Sequence, residues 1–404
     1  MYSGLALEGV KVVEIAWAVS GPQAMTSLAE NGATVVKLES IKRIDPMRAF
    51  FPYAGGIPGL NRCITFAQYN IGKLSIKVDL SQLKGFEIAK KLIAWADVFI
   101  EGMVPGAAER MGLGYEEVRK IKPDIIMMST SMEGRGGPHS TAAGIGAQAQ
   151  ALSGFTSLFG WPDREPVGTP ISYTDWITPW YIIIAAITAL EHRRHTGEGT
   201  YIDISQFESG VSFLSPAVLD YCTNGREATA KGNRSNTAPH SVYRCEGDDE
   251  WCAIAVFNED EWAAFCKVIG EPQWCQDTKF STSTGRKQNE DELDRLVEAW
   301  TVNYPAQDIM DRMQSAGVPA GKVQNGRDLH QDPQLKHRQH FWRIEHPEIG
   351  VLDYDGPSFR MSKTNPQPTR PAPCIGEHTE YICRNILGIP DNEFVQLLND
   401  GVFE

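Results

Sequence analysis

Asp175 stands in Ile171-Ser-Tyr-Thr-Asp-Trp-Ile-Thr-Pro-Trp180, ahead of a run from Trp180 to Leu190 too apolar to be solvated. On the local pattern it reads as a helix N-cap, because a short carboxylate accepts hydrogen bonds from the free N–H groups of a first turn. Pro179 then falls inside that first turn, where proline is tolerated. A carboxylate at a helix N-terminus stays ionised, since the dipole favours the anion. Such an anion is also the form that covalent attack on an activated carbonyl requires.

Other reactive residue types are less organised. The eight cysteines, at 63, 222, 245, 252, 266, 275, 374 and 383, form no C-x-x-C pair and have no histidine spacing that would hold zinc. They read as reduced, mostly buried thiols of a cytosolic protein, and no metal site is expected. The histidines are scattered, and His139 reads as a loop residue ahead of the Asp175 region. Trp176, Trp180 and Tyr181 flank Asp175 and read as core packing more readily than as a substrate wall.

The chain has 404 residues, 42% of them hydrophobic, which is enough for two domains with cores of their own. Its formal charge of −13 argues against nucleic acid as a partner, because phosphate neutralisation needs basic surface. A polyanionic ligand therefore has to find a local basic pocket. Met-Tyr-Ser-Gly-Leu-Ala-Leu-Glu at the start has no basic segment followed by an apolar one, so a cytoplasmic location is expected. Ile177 to Leu190, the longest apolar stretch, falls short of the ~20 residues that span a bilayer, so no membrane association is expected.

The elements that must position these residues alternate in type. Val10 to Ile15 is a β-branched strand, Gly21-Pro22 opens a helix closing at Asn31-Gly32, and Thr34 to Glu39 is the next strand. Leu83 to Trp95 reads as a helix, followed by strands at 97–101, 125–129 and 201–205. Alternation of this kind implies an α/β fold with a mostly parallel sheet and helices on both faces. G-x-G-x-x-G is absent, so a dinucleotide site of the usual kind is not supported, and Glu39 resembles a ribose-binding acid only by position. The composition shift over 223–236 reads as a linker. The expected division is a large domain over 1–225, a small domain over 226–325, and a segment over 326–404 that returns to the large domain and ends in a short helix at 391–398.

Several segments in order resemble the class III CoA-transferases, the family that includes formyl-CoA and carnitine CoA-transferases and the α-methylacyl-CoA racemases. They are Leu7-Glu-Gly-Val-Lys-Val-Val-Glu-Ile15, Ser20-Gly-Pro22, the stretch 31–39, Asp97-Val-Phe-Ile-Glu-Gly-Met-Val-Pro-Gly106 and Arg110-Met-Gly-Leu-Gly-Tyr115. Gly197-Glu-Gly199 with Asp203, Gly232-Asn233, Ala316-Gly-Val-Pro319 and Ala372-Pro-Cys-Ile-Gly-Glu-His378 continue the series. The resemblance implies a Rossmann-like large domain, a smaller α+β domain and two chains interlocked like links, as a homodimer or as a heteromer with a related subunit.

It also implies coenzyme A, as acyl-CoA substrate and not as a permanent cofactor. Ala18, Val19 and Ser20 match the loop along the nucleotide, Arg110 and Met111 match an Arg-Met pair with Arg110 as phosphate partner, Val78 matches an adenine contact, and Lys73 matches a family lysine. The chain departs from the family pattern at Ser40, where a basic residue is usual, and at Gly102 and Met103, where Asn-Phe is usual; Lys42, Arg43 or Arg48 would then supply charge. In the family a glycine-rich lid covers the site. Here Asn233-Arg-Ser-Asn-Thr-Ala-Pro-His240 takes its place, and Arg234, Asn236 or His240 would contact substrate, with Arg234 the candidate for an acceptor carboxylate and Ile145 and Trp176 as further substrate contacts.

Racemases of this fold carry a His-Asp pair after a glycine to move an α-proton. Ile145 and Gly146 occupy those places and can carry none, so the resemblance favours transfer. In the family's reaction an aspartate, here Asp175, attacks the donor acyl-CoA, and an aspartyl-CoA thioester passes CoA to a free acid. An aryl-substituted succinate such as benzylsuccinate, with succinyl-CoA as donor, is the expected pair. The alternatives are an acyl-CoA racemase or epimerase, and a non-catalytic CoA-binding subunit.

Overall fold

The structure is a computed structural model and describes residues 4–142 and 144–404. The chain forms two compact units. The first comprises residues 1–156, 168–227 and 337–404; the second comprises 157–167 and 228–336.

The first unit is built on six parallel strands: β1 (Lys11–Ile15), β2 (Thr34–Glu39), β3 (Leu74–Lys77), β4 (Val98–Glu101), β5 (Ile126–Ser131) and β6 (Thr200–Ser205). Their order is β3-β2-β1-β4-β5-β6. Val12 pairs with Val35 on one side and Val98 on the other, so β1 is central. Successive residues of a strand point to opposite faces. Val13, Val36, Phe99 and Met127 therefore pack one way, against Ile88 and Leu92 of α1 (Leu83–Trp95). Val12, Val35, Val98 and Met128 pack the other way. Both faces are covered, which is the condition for an all-parallel sheet.

On the second face lie the helix Ser20–Glu30, through Met25 and Leu28, and the 24-residue helix α2 (Tyr173–Thr196), through Ile182, Ala186 and Ala189. Two more helices matter below: α3 (Gln206–Phe213), which starts at the end of β6, and α4 (Ser215–Asn224). The returning segment closes the first face. Ile382, Phe394, Leu397, Val402 and Phe403 join that core, and the N–H groups of His378 and Asp79 donate to the carbonyls of Ser75 and Val402, each at 2.9 Å.

The second unit holds a three-stranded antiparallel sheet of His240–Arg244, Trp251–Ala255 and Ala320–Lys322. Helices Glu259–Val268, Glu290–Thr301 and Ala306–Ser315 supply Phe265, Leu293, Val297 and Ile309 to its core. No helix among the described residues is long and apolar enough to cross a membrane.

Candidate active site

Strand order reverses between β1 and β4, and ligands of open α/β sheets bind outside the carboxyl ends of the strands at such a point. The loops that leave β1 and β4 meet there. The Gly102 α-carbon faces Ala16: a Cβ built there would lie 3.4 Å from the Ala16 backbone, an ordinary contact. Ala18 adopts φ 61°, and its N–H donates to Asp45 Oδ1 at 3.1 Å. Beneath lies a sealed set of charges. Lys37 sits 3.2 Å from Glu14 and 3.1 Å from Asp45, and Lys73 bonds Glu14 at 2.7 Å. Burial lowers the Lys37 pKa, but Glu14, Asp45 and Glu39 outweigh it and hold the ammonium above its usual range. For Lys73 burial wins over Glu14 and brings the value down to about 8.

Ala18, Val19, Ser20, Gly102, Met103, Arg110 and Met111 all belong to the two segments that follow β1 and β4, and Arg110 is exposed. Met103 is held by its N–H donating to Glu101 at 2.8 Å. Two expected contacts need correction. Lys73 has no exposed surface and its ammonium already serves Glu14, the Pro22 carbonyl and Asn70. Val78 is a fully buried core residue, so neither side chain reaches a surface-bound nucleotide. Arg48 is likewise buried, with two 2.7 Å bonds to Glu39; this also gives Glu39 a structural partner. Lys42 pairs with Asp79, and Arg43 lies over the Trp17 ring.

Asp175 is not the cap of its helix. α2 begins at Tyr173 with Ser172 in the cap position, which places Asp175 third in the helix. Pro179 is interior to α2, and having no N–H it gives the Asp175 carbonyl no i→i+4 bond. The Asp175 carboxylate accepts from Gln206 Nε2 at 2.8 Å, and the same amide nitrogen donates to Ser20 Oγ at 3.0 Å. One amide thus ties the residue that starts α3 to α2 and to the segment after β1. Gln206 was not singled out from the sequence: it belongs to no motif, and its only mark is that it follows a strand.

Burial raises the Asp175 carboxyl to about 6, against the lowering effect of the Gln206 bond. Burial and the Asp175 charge push the Tyr69 phenol up. Tyr69 also meets the edge of Trp176 at 5.3 Å. Contrary to the expectation of core packing, Trp176, Trp180 and Tyr181 are 37%, 52% and 42% exposed. Gly146 opens the helix Gly146–Leu152 against the carboxylate, and Ile145 beside it is exposed. His139 lies in a loop.

Arg234 and His240 belong to the second unit, on the wall of a cavity of about 600 Å³ that Asn233, Phe257 and Pro319 also line. Arg234 is not a free receptor for a carboxylate. It bonds Asp291 and pairs with Glu290 at 3.6 Å and Asp294 at 4.0 Å, so its charge is already balanced. His240 Nδ1 lies 2.9 Å from the Asn233 carbonyl, which makes that nitrogen the protonated one. No group of three His, Cys, Asp or Glu among the described residues could hold a metal ion.

Residues 7–379 match the model of CoA-transferase family III. The chain is 31% identical over 400 residues to succinyl-CoA:glutarate CoA-transferase of Mus musculus, covering 98% of this chain and 90% of that protein. It is 29% identical over 394 residues to succinyl-CoA–D-citramalate CoA-transferase of Chloroflexus aurantiacus, covering 97% and 96%. The crystal structure of a CAIB/BAIF family protein from Brucella suis matches with a TM-score of 0.87 at 30% identity, over 95% of this chain and 100% of that one.

Proposed function

The chain belongs to CoA-transferase family III, and from that premise we propose that Asp175 is the nucleophile that carries CoA, as an aspartyl thioester, from succinyl-CoA to a dicarboxylic acid. The observation that carries this reading is the Asp175 carboxylate itself. It is half-buried, bonded to the Gln206 amide, and has no Lys or Arg neutralising it among the described residues. A carboxylate kept out of an ion pair keeps its lone pairs for attack.

Two relatives named for succinyl-CoA support that donor. Exposed Trp176 next to Asp175 supports an acceptor with an aryl group, an aryl-substituted succinate of the benzylsuccinate type. CoA lies over the switch point, along Ala18, Val19 and Ser20 and the segment from Gly102 to Met111, with Arg110 or Arg43 on its phosphates. Ile145 and Gly146 give the site no proton carrier, which speaks against α-proton exchange. The protein works as an interlocked dimer, a reading supported by exposed apolar residues on α2 and α4, among them Ile184, Ile187, Leu219 and Tyr221.

The test is incubation with succinyl-CoA alone. Intact mass should rise by one CoA less one water, hydroxylamine should convert the adduct to a hydroxamate on Asp175, and an acceptor acid should discharge it. Solvent deuterium entering the acyl group with no adduct would move the assignment to a racemase.

A further inference from the structure

We propose that Gln206 is a catalytic residue, the donor that stabilises the oxyanion formed on Asp175 each time CoA enters or leaves its side chain. The inference rests on the reading of Asp175 as nucleophile and adds the group that makes its carbonyl carbon reactive.

The geometry assigns the two carboxylate oxygens different tasks. Oδ1 receives the Gln206 amide at 2.8 Å, while Oδ2 lies over the hydrogen face of Gly146. Only the NH2 end of Gln206 can face a carboxylate, because the opposite orientation would set two acceptors against each other. Its second hydrogen is fixed on Ser20 Oγ at 3.0 Å, so the amide is held from both sides in a buried position. A donor fixed before reaction needs no reorganisation when charge develops.

The electron flow follows. Oδ2 attacks the donor thioester carbon, the C–S bond breaks, and CoA leaves as thiolate with the electron pair. Oδ1 is now the carbonyl oxygen of an acyl-aspartyl anhydride. The thiolate adds to Asp175 Cγ, and the carbonyl pair moves onto Oδ1, where Gln206 Nε2 donates to the anion. Collapse breaks the Cγ–Oδ2 bond and releases the donor acid as its carboxylate, which carries Oδ2 away. The acceptor carboxylate then adds to the same carbon, the anion forms again on Oδ1, and CoA thiolate leaves. The thiolate finally attacks the acceptor's carbonyl and frees Asp175 with one oxygen from the acceptor. No proton is transferred in either half, so a neutral amide is a sufficient catalyst where a histidine is not needed.

The test compares wild-type protein with Gln206→Leu and the nearly isosteric Gln206→Glu, which replaces the donor by an acceptor. Both should bind CoA within about threefold of wild type and lose roughly 10²- to 10³-fold in kcat, the usual loss for one oxyanion donor. The deciding measurement is hydroxylaminolysis of preloaded aspartyl-CoA, since hydroxylamine attacks the same Cγ. Loss of the donor should slow it at least about tenfold, whereas a merely structural role would loosen the site and leave the thioester equally or more open to attack. Hydroxamate forming on Asp175 at wild-type rate or faster in the Glu variant overturns the proposal; if the Leu variant does not fold, the Glu variant decides. Absence of any hydroxamate on Asp175 in the wild-type protein would instead refute the nucleophile itself.

Discussion

Gly146 lies flat against the Asp175 carboxylate: a Cβ on its α-carbon would overlap both Oδ2 and Cγ. The glycine is required by the close approach, because its backbone needs no left-handed φ.

Gly146→Ala should therefore displace the carboxylate from Gln206 and lower kcat at least about tenfold, in line with the sensitivity of reactions to small misplacements. Gly326→Ala serves as the control, since a Cβ there meets nothing within 4 Å. Steady-state kinetics of the two variants checks this, and equal rates would show that the carboxylate does not work from its present position.

Asp175 should oppose stability and support activity over the same pH range. Its carboxyl is raised from 3.8 to about 6, chiefly by burial, so between those values the folded state holds the proton more tightly than the unfolded one. The sign follows from linkage: stability from this group is lost as pH rises through that window, and the loss is complete above the folded value. Asp175→Asn should raise the melting midpoint at about pH 7.5 by an amount worth on the order of 1–2 kcal/mol after allowance for solvent, with the difference gone at about pH 3, below the unfolded value. Transfer should fall at least about 10³-fold in the same variant, while in wild type kcat/KM should climb with a midpoint near 6. An Asn variant that still turns over, or a flat wild-type profile, would count against the scheme.

Lys73→Met should reduce stability by on the order of 3 kcal/mol, because it leaves Glu14 short of one of its two buried partners. KM for acyl-CoA in the remaining folded enzyme should stay within about twofold of wild type. Denaturation midpoints and initial rates separate this from a direct contact with CoA, which would raise KM and spare the midpoint.

Light scattering at micromolar protein should give the mass of two chains. Ile184→Glu with Leu219→Glu, both now 62% exposed, should reduce it to one, since a buried carboxylate without a partner destabilises an interface. A monomer in the wild type would refute the proposed assembly.

The sheet was legible because strand and helix periods alternate clearly. The 34–39 strand and the 83–95 helix carry the same limits in sequence and structure. The start of α2 was not legible. Proline is usually confined to a first turn, so Pro179 drew the expected helix start toward Asp175, whereas it is interior to a helix beginning at Tyr173. Position along the chain also says nothing of exposure: Lys73 and Val78 matched by place and proved sealed, and Trp176, Trp180 and Tyr181 have core-like composition on an open face. Gln206 could not be found because a single amide has no spacing rule; only the fold brings it to Asp175.

The last segment of the first unit has a consequence for biosynthesis. β3 and its neighbours await Ser75–His378 and Asp79–Val402 backbone bonds and the side chains of Phe394 and Phe403. More than 300 residues separate those partners. At ribosomal rates the nascent sheet therefore spends on the order of tens of seconds with its first face covered by α1 but not yet by the returning segment. During that interval the apolar surface that Phe394 and Phe403 will cover stays accessible, so a chain stalled on the ribosome shortly before codon 378 should bind chaperones more than the released full-length chain does.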